Sequence, residues 1–127
     1  MITAYYAAFL ALWLSFLFLN VVAKRRKHLI GLGDGENEDL LKAIRIHANF
    51  TETVPYILIL MILLEMMNYN LLMIHALGSL LILSRMLHFI GISKSSGVST
   101  QRFLAGIITN SLLVIGAVML LIKPVLS

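Results

Sequence analysis

The sequence contains no cysteine and few charged residues. Of its 127 residues, 13% are charged and 60% are hydrophobic. The absence of cysteine excludes disulfide bonds and a protein thiolate nucleophile. The low charge excludes a large water-soluble core, because soluble domains typically carry about 25% charged residues. We therefore expect one domain, residues 1–127, that resides in a membrane.

Four apolar segments account for the high hydrophobicity. They cover about residues 2–23, 50–67, 71–92 and 103–122. Each is long enough to cross a hydrocarbon core of about 30 Å as a helix. A transmembrane β-barrel is excluded because a stretch such as LLILSRMLHFIGI does not alternate between apolar and polar residues. The sequence predicts an all-α, integral membrane four-helix bundle.

The distribution of basic residues predicts the orientation. No basic residue precedes the first segment, so we expect that segment to be retained and not cleaved as a signal peptide. A basic cluster follows it at residues 24–27, whereas the second connection, residues 67–70, carries no charge. The positive-inside rule then places residues 24–44 and 93–102 in the cytoplasm and both termini outside. We attribute the net charge of +4 to contact with anionic lipid headgroups and not to nucleic acid.

The first connection, KRRKHLIGLGDGENEDL, is the only sizeable polar stretch. Its glycines predict a loop, and Asn37 followed by two acidic residues predicts a helix start. The second helix should therefore begin near residue 38 and extend into the cytoplasm ahead of its membrane span. GDGENED lacks the full calcium-loop pattern and the lysine of a phosphate-binding loop. A structural turn is favoured over a ligand site there, and we expect no metal site.

Polar residues on the second helix form a stripe. Arg45, Asn49, Glu52 and Tyr56 fall within about 60° of one another at helical spacing, whereas His47 points almost the opposite way. The stripe offers a guanidinium, an amide, a carboxylate and a phenol. Such a set suits a small zwitterionic molecule with carboxylates, an amine and peptide groups.

The third segment carries Arg85 and His88. Equal helix rise on either side of the short second connection places Glu52 level with Arg85, and Asn49 level with His88. An arginine in a membrane needs a partner, so we expect an ion pair between Glu52 and Arg85 that is either structural or part of a ligand site. Pro55 should bend the second helix beside Glu52, either opening a pocket or forming a tolerated kink.

These residues resemble a known family. Arg45-x-His47-x-Asn49-x-x-Glu52-x-x-Pro55 is similar to the second-helix signature of the MAPEG family, the membrane-associated proteins of eicosanoid and glutathione metabolism. Arg85-x-x-His88 resembles the third-helix motif of its prostaglandin synthase branch. Length and segment number agree over nearly the whole chain. The combination of GDG with RIHANFTETVP looks most like the small bacterial members, which implies the bacterial inner membrane.

The resemblance implies a homotrimer that binds glutathione between subunits near the cytoplasmic face. Arg102 would lie near the thiol-activating arginine, and either Arg25 or Arg26 would meet a carboxylate of the tripeptide. The cofactor-binding residues expected from the resemblance and the stripe are Arg45, His47, Asn49, Glu52, Tyr56, Arg85, His88 and Arg26.

The function implied is that of a membrane glutathione transferase or peroxidase that attacks lipophilic electrophiles dissolved in the bilayer. The alternative is a non-catalytic glutathione- or lipid-binding scaffold of the same fold. Thr53, Ile92 and Phe103 depart from better-known members, which argues against specialised eicosanoid chemistry. A small multidrug transporter is disfavoured, because residues 2–23 lack the acidic residue on which such pumps rely.

Overall fold

The computed structural model describes residues 1–126, and the side chains of residues 1–122. It contains four helices: α1 (Thr3–His28), α2 (Glu38–Met66), α3 (Leu71–Lys94) and α4 (Thr100–Leu126). Each is long and apolar enough to cross a membrane, α4 over Thr100–Ile122. The prediction of an all-α protein with four membrane-spanning helices is confirmed.

Two ends of the bundle are distinguished by their connections. The end that carries the α1–α2 and α3–α4 connections is called the loop end, and the end that carries the short α2–α3 connection is called the turn end. At the loop end, the guanidinium of Arg25 donates from Nη1 to the carbonyl of Gly33 at 2.9 Å. The side chain of Asn37 accepts from the backbone N–H of Leu40 at 2.9 Å and so caps α2. GDGENED is thus built as a turn stabilised by local contacts.

At the turn end, a carboxylate ties α1 to α2. Glu65 accepts from the backbone N–H groups of Ile2 and Thr3, the latter at 2.9 Å. The first N–H groups of a helix have no partner within the helix, and a carboxylate there also complements the helix dipole. Tyr69 donates its hydroxyl to the carbonyl of Met119 at 2.6 Å, which fastens α4 to the same end.

Helix α2 lies at the centre of the bundle and contacts α1, α3 and α4, while α3 packs along α4 and touches α1 only lightly. The inward side of α2 is apolar, with Ile46, Phe50, Val54, Ile57, Met61 and Leu64 all buried. Lipid is as apolar as these side chains, so their packing contributes close contact more than hydrophobic transfer. Hydrogen bonds between polar side chains of different helices therefore contribute strongly to the choice of which helix faces pack together.

Candidate functional site

Among the charged side chains that the structure describes, Arg85 is the most deeply buried, and it joins three helices. It is only 3% exposed. Its Nη1 donates to Asn49 Oδ1 at 2.5 Å and to Thr53 Oγ1 at 3.1 Å, both on α2. Its Nη2 donates to the hydroxyl of Thr109 on α4, and its Nε donates to the hydroxyl of the preceding Ser84 at 3.2 Å. All four acceptors are neutral, so they satisfy the donors of the guanidinium without cancelling its charge.

The expected ion pair between Glu52 and Arg85 is not the contact that forms. Arg85 bonds to Asn49 and Thr53, which flank position 52 in height, whereas Glu52 is exposed. The depth estimate was therefore close, but the direction around the helix was not. At about 100° per residue, Asn49 and Thr53 lie at the border of the buried side of α2, and Glu52 lies beyond it.

Two adjoining depressions open beside this arginine between α2, α3 and α4. The first has a volume of about 220 Å³ and contains Arg85, and the second has a volume of about 290 Å³ and contains Arg102. They share Asn49, His88 and Gly106 in their walls. Among the described side chains, no carboxylate lines either of them. Together they are called the arginine depressions, and their walls combine two guanidinium groups with neutral hydrogen-bonding groups.

The second arginine is held at the start of α4. Arg102 donates from Nη1 to the carbonyls of Gly97 and Ser96, at 2.8 and 3.2 Å. Its backbone N–H donates to Ser99 Oγ at 3.3 Å. Gly91 on α3 permits this approach, because a Cβ at that position would lie 2.8 Å from Arg102 Cγ and 3.0 Å from its backbone nitrogen. The α3–α4 loop thus positions Arg102 beside His88.

The remaining predicted residues are distributed around this site. Arg45 shares with Arg102 a third, small depression of about 70 Å³. Glu52 and Tyr56 are exposed on the outward side of α2, Tyr56 by 64%. The single chain thus gathers Asn49, Arg85, His88 and Arg102 in one place and Arg45 next to it. It leaves Glu52 and Tyr56 facing outward.

Two predicted residues lie away from the depressions. His47 packs toward α1, with its ring centroid 6.3 Å from that of Phe18, in keeping with its predicted opposite direction. Arg26 is exposed at the end of α1, while Arg25 is engaged by the loop. Pro55 is exposed and lines neither arginine depression. Residues of α2, α3 and α4 form the depression beside Asn49, and Pro55 is not among them.

Sequence reasoning missed two hydroxyls. Thr53 and Thr109 both accept from the Arg85 guanidinium. Thr53 follows Asn49 by four residues, so helical spacing could have found it. Thr109 is a polar residue inside the fourth apolar segment, seven residues after Arg102, which places both on one face of α4. The sequence did contain a signal for these contacts: an arginine in the third apolar segment and isolated threonines in the second and fourth segments that could accept its hydrogen bonds.

These observations define a class of protein: a helical membrane bundle with a cationic recess, in whose described walls no acidic side chain lies. The sequence model of the MAPEG family matches residues 3–122, and the chain belongs to that family. The expected membership of the MAPEG family is confirmed.

Two similar proteins carry one name. "Inner membrane protein YecN" of Escherichia coli strain K12 is 36% identical over 91 residues, which cover 72% of this chain and 70% of that protein. The protein of the same name from Escherichia coli O6:H1 strain CFT073 matches to the same extent. No solved structure matches this chain.

Proposed function

We propose that this chain is an integral inner-membrane glutathione transferase or peroxidase that promotes attack by the glutathione thiolate on lipophilic electrophiles. The observation that carries the proposal is the meeting of Arg85 and Arg102 in adjoining depressions with no acid in their described walls. Glutathione brings two carboxylates, an amine, two amides and a thiol. The inner membrane is suggested by the printed name of the E. coli relatives.

The donor set of the depressions fits such a ligand. Arg85 offers a positive charge that its neutral partners leave uncancelled, and Asn49 offers an amide that can turn from Arg85 toward a peptide group. Of the two arginines that line the depressions, Arg102 lies nearer the loop end. A guanidinium beside the glutathione sulfur would stabilise a thiolate over a thiol. Bound glutathione would supply the nucleophilic sulfur, which this cysteine-free chain does not have.

A single chain presents only part of the site. Arg45, Glu52 and Tyr56 lie exposed on the outward side of α2, within a helix long and apolar enough to span the membrane. A carboxylate facing lipid is costly, so this side should pack against another protein surface. We propose a homotrimer in which neighbouring copies cover it and carry Glu52 toward the arginine depressions of the next copy. Family membership supports this assembly.

The proposal is tested by titrating the purified protein with glutathione and recording the ultraviolet absorbance of the thiolate near neutral pH. We expect a thiolate signal in the native protein and its loss, by more than tenfold, in Arg102→Ala. Lys94→Ala, which removes an exposed charge near the same loop, should keep the signal. A signal that survives in Arg102→Ala while the trimer stays assembled would remove Arg102 from the mechanism.

A second candidate is a glutathione-binding scaffold without catalysis. It is favoured by the two hydrogen bonds from Arg102 to the carbonyls of Ser96 and Gly97, which give this arginine a structural role in the loop. In that case glutathione would bind, as measured by calorimetry, without any thiolate absorbance. Calorimetry and absorbance on the same sample separate the two functions.

A further inference from the structure

A groove runs between α1 and α3, and toward the loop end α2 also lines it. It shares no lining residue with the two arginine depressions. Toward the turn end it is closed. There the hydroxyl of Tyr6 lies 3.0 Å from His75 Nδ1 and 3.2 Å from Ser79 Oγ. The Tyr6 ring also covers Gly78, where a Cβ would come within 2.6 Å of it. This contact holds α1 against α3 at that level.

Below this contact, α1 and α3 leave room between them. A cavity of about 270 Å³ lies there, lined by Phe9, Trp13, Met86, Phe89 and Ile90. Every side chain in this lining is apolar. Several of them are also exposed at the outer surface of the bundle, including Phe9 and Met86. The cavity is therefore accessible from the apolar surroundings of the helices.

The character of the groove changes toward the loop end. A second cavity of about 260 Å³ shares Phe89 with the first and includes Phe16, Lys24, Asp39, Lys42 and Ser93. Lys24 is paired with Asp39, while Lys42 lies 3.1 Å from Glu38 Oε1 outside the groove. The side chains that line this cavity thus carry two ammonium groups and one carboxylate, a net charge of one positive, and Glu38 pairs with Lys42 from outside the lining. The loop end of the groove thus carries a hydroxyl and two ammonium groups, whereas the first cavity, nearer the turn end, is lined only by apolar side chains.

We propose that this groove binds one anionic phospholipid of the surrounding bilayer. The phosphate would lie at Lys24, Lys42 and Ser93, and an acyl chain would run past Phe89 to Trp13. Fifteen residues separate Phe9 from Lys24, which is about 22 Å along a helix and matches half of a bilayer about 40–45 Å thick including headgroups. Two other occupants fit less well. A neutral lipophilic molecule would make no ion pair with Lys24 or Lys42, and an apolar helix from a second copy would gain nothing from lysines at the end of the groove.

The test uses Trp13, the single tryptophan of the sequence, which lines the apolar cavity. The full chain is reconstituted in phosphatidylcholine vesicles, and mid-chain brominated lipid, which quenches tryptophan on contact, is added as phosphatidylglycerol or as phosphatidylcholine. We expect the brominated phosphatidylglycerol to quench Trp13 at roughly fivefold lower mole fraction, as one net positive charge near a membrane surface predicts. Equal quenching by the two lipids would overturn the proposal, and so would an absence of quenching by either.

Charge variants distinguish binding of phosphatidylglycerol in the groove from a general attraction of anionic lipid to this basic protein. Lys24→Gln with Lys42→Gln should abolish the preference for phosphatidylglycerol. Asp39→Asn should strengthen it, because it removes the carboxylate of the groove. The control is Lys27→Gln with Lys94→Gln, two exposed lysines at the loop end that do not line the groove. Should the control lose the preference as fully as the groove variant, or should Asp39→Asn leave it unchanged, the groove is not the binding site.

The groove meets the proposed glutathione site only at Lys42, which also lines the small depression shared by Arg45 and Arg102. The two kinds of binding are therefore measured separately. Quenching of Trp13 by brominated phosphatidylcholine reports whether a variant is still folded in the bilayer, so a loss of selectivity is distinguishable from a loss of structure. If the preference stays intact in a variant that no longer forms the glutathione thiolate, the two sites are separate.

Discussion

The Arg85 side chain joins three helices through hydrogen bonds, yet its positive charge is not neutralised by its partners. Its guanidinium is buried, and the hydrogen-bond partners described for it are all neutral oxygens. Hydrogen bonds of this kind satisfy the N–H groups but do not neutralise the cation, whose burial remains costly. An anion that reached the first arginine depression would gain from that charge. The residue is therefore suited to bind an anionic group from the open side of the depression.

The contribution of this network is measurable at Thr109. Thr109→Val keeps the shape of the side chain but removes the oxygen that accepts from Arg85 Nη2. We expect a loss of about 1–2 kcal/mol in the free energy of unfolding, near the upper range for hydrogen bonds between membrane helices. Unfolding in mixed detergent micelles, followed by circular dichroism, gives this value.

The matched control is Thr51→Val. The Thr51 side chain is exposed, and its hydroxyl donates to the carbonyl of Ala48 within the same helix at 2.9 Å. This change should alter stability by less than about 0.5 kcal/mol. Equal losses for the two variants would mean that the contact with Arg85 does not stabilise the bundle.

At the scale of the helix, the sequence determined position along the membrane better than direction around the axis. Arg85 was expected at the height of residue 52 and lies between Asn49 and Thr53. Hydrophobic length and equal rise give height directly. Which residue at that height faces inward depends on how α3 and α4 pack on α2, and one stripe of polar residues does not contain that information. The same limit explains why Thr109 was missed.

The packing of α3 against α4 depends on Gly91. A Cβ at this position would lie 3.0 Å from the backbone nitrogen of Arg102, so Gly91→Ala must displace the first turn of α4. We expect a loss of about 1–3 kcal/mol in stability, typical of overpacking, together with a weaker thiolate signal. Both are measured on the same purified variant by unfolding and by absorbance with glutathione.

Gly106→Ala provides the comparison for this prediction. Nothing lies within 4 Å of a Cβ built at Gly106, also on α4. Alanine should therefore stabilise the helix by about 0.5–1 kcal/mol through its lower conformational entropy in the unfolded chain. If Gly91→Ala were as well tolerated as Gly106→Ala, the close approach of α3 to Arg102 would not matter for stability.

At the scale of the whole molecule, the four helices followed from hydropathy because each spanning helix must satisfy its own backbone in lipid. Hydropathy does not predict what packs against the outward side of α2. Glu52 and Tyr56 were grouped correctly on one face of the helix, but a single sequence cannot say what covers that face. The structure of one chain leaves both side chains exposed. In the proposed homotrimer, a neighbouring copy would cover them.

The assembly is tested by cysteines placed in this cysteine-free chain. Ile59 is exposed on the same side of α2 as Glu52 and Tyr56. In a homotrimer built around this side, Ile59→Cys should yield covalent dimers with a short bifunctional maleimide, and sedimentation in detergent should give three copies. Leu80→Cys, exposed on α3, is the control and should cross-link much less. Equal cross-linking at both positions, or a monomeric mass, would contradict the trimer.

The bonds from Arg85 to three helices have a consequence for how this chain can change over time. A substitution at position 85 that improved recognition of a new ligand would also alter the contacts between α2, α3 and α4. Selection for assembly and selection for chemistry would thus act on one codon. New specificities should therefore arise more readily at exposed residues of the second arginine depression, such as Val98 or Phe103, than at the buried Arg85.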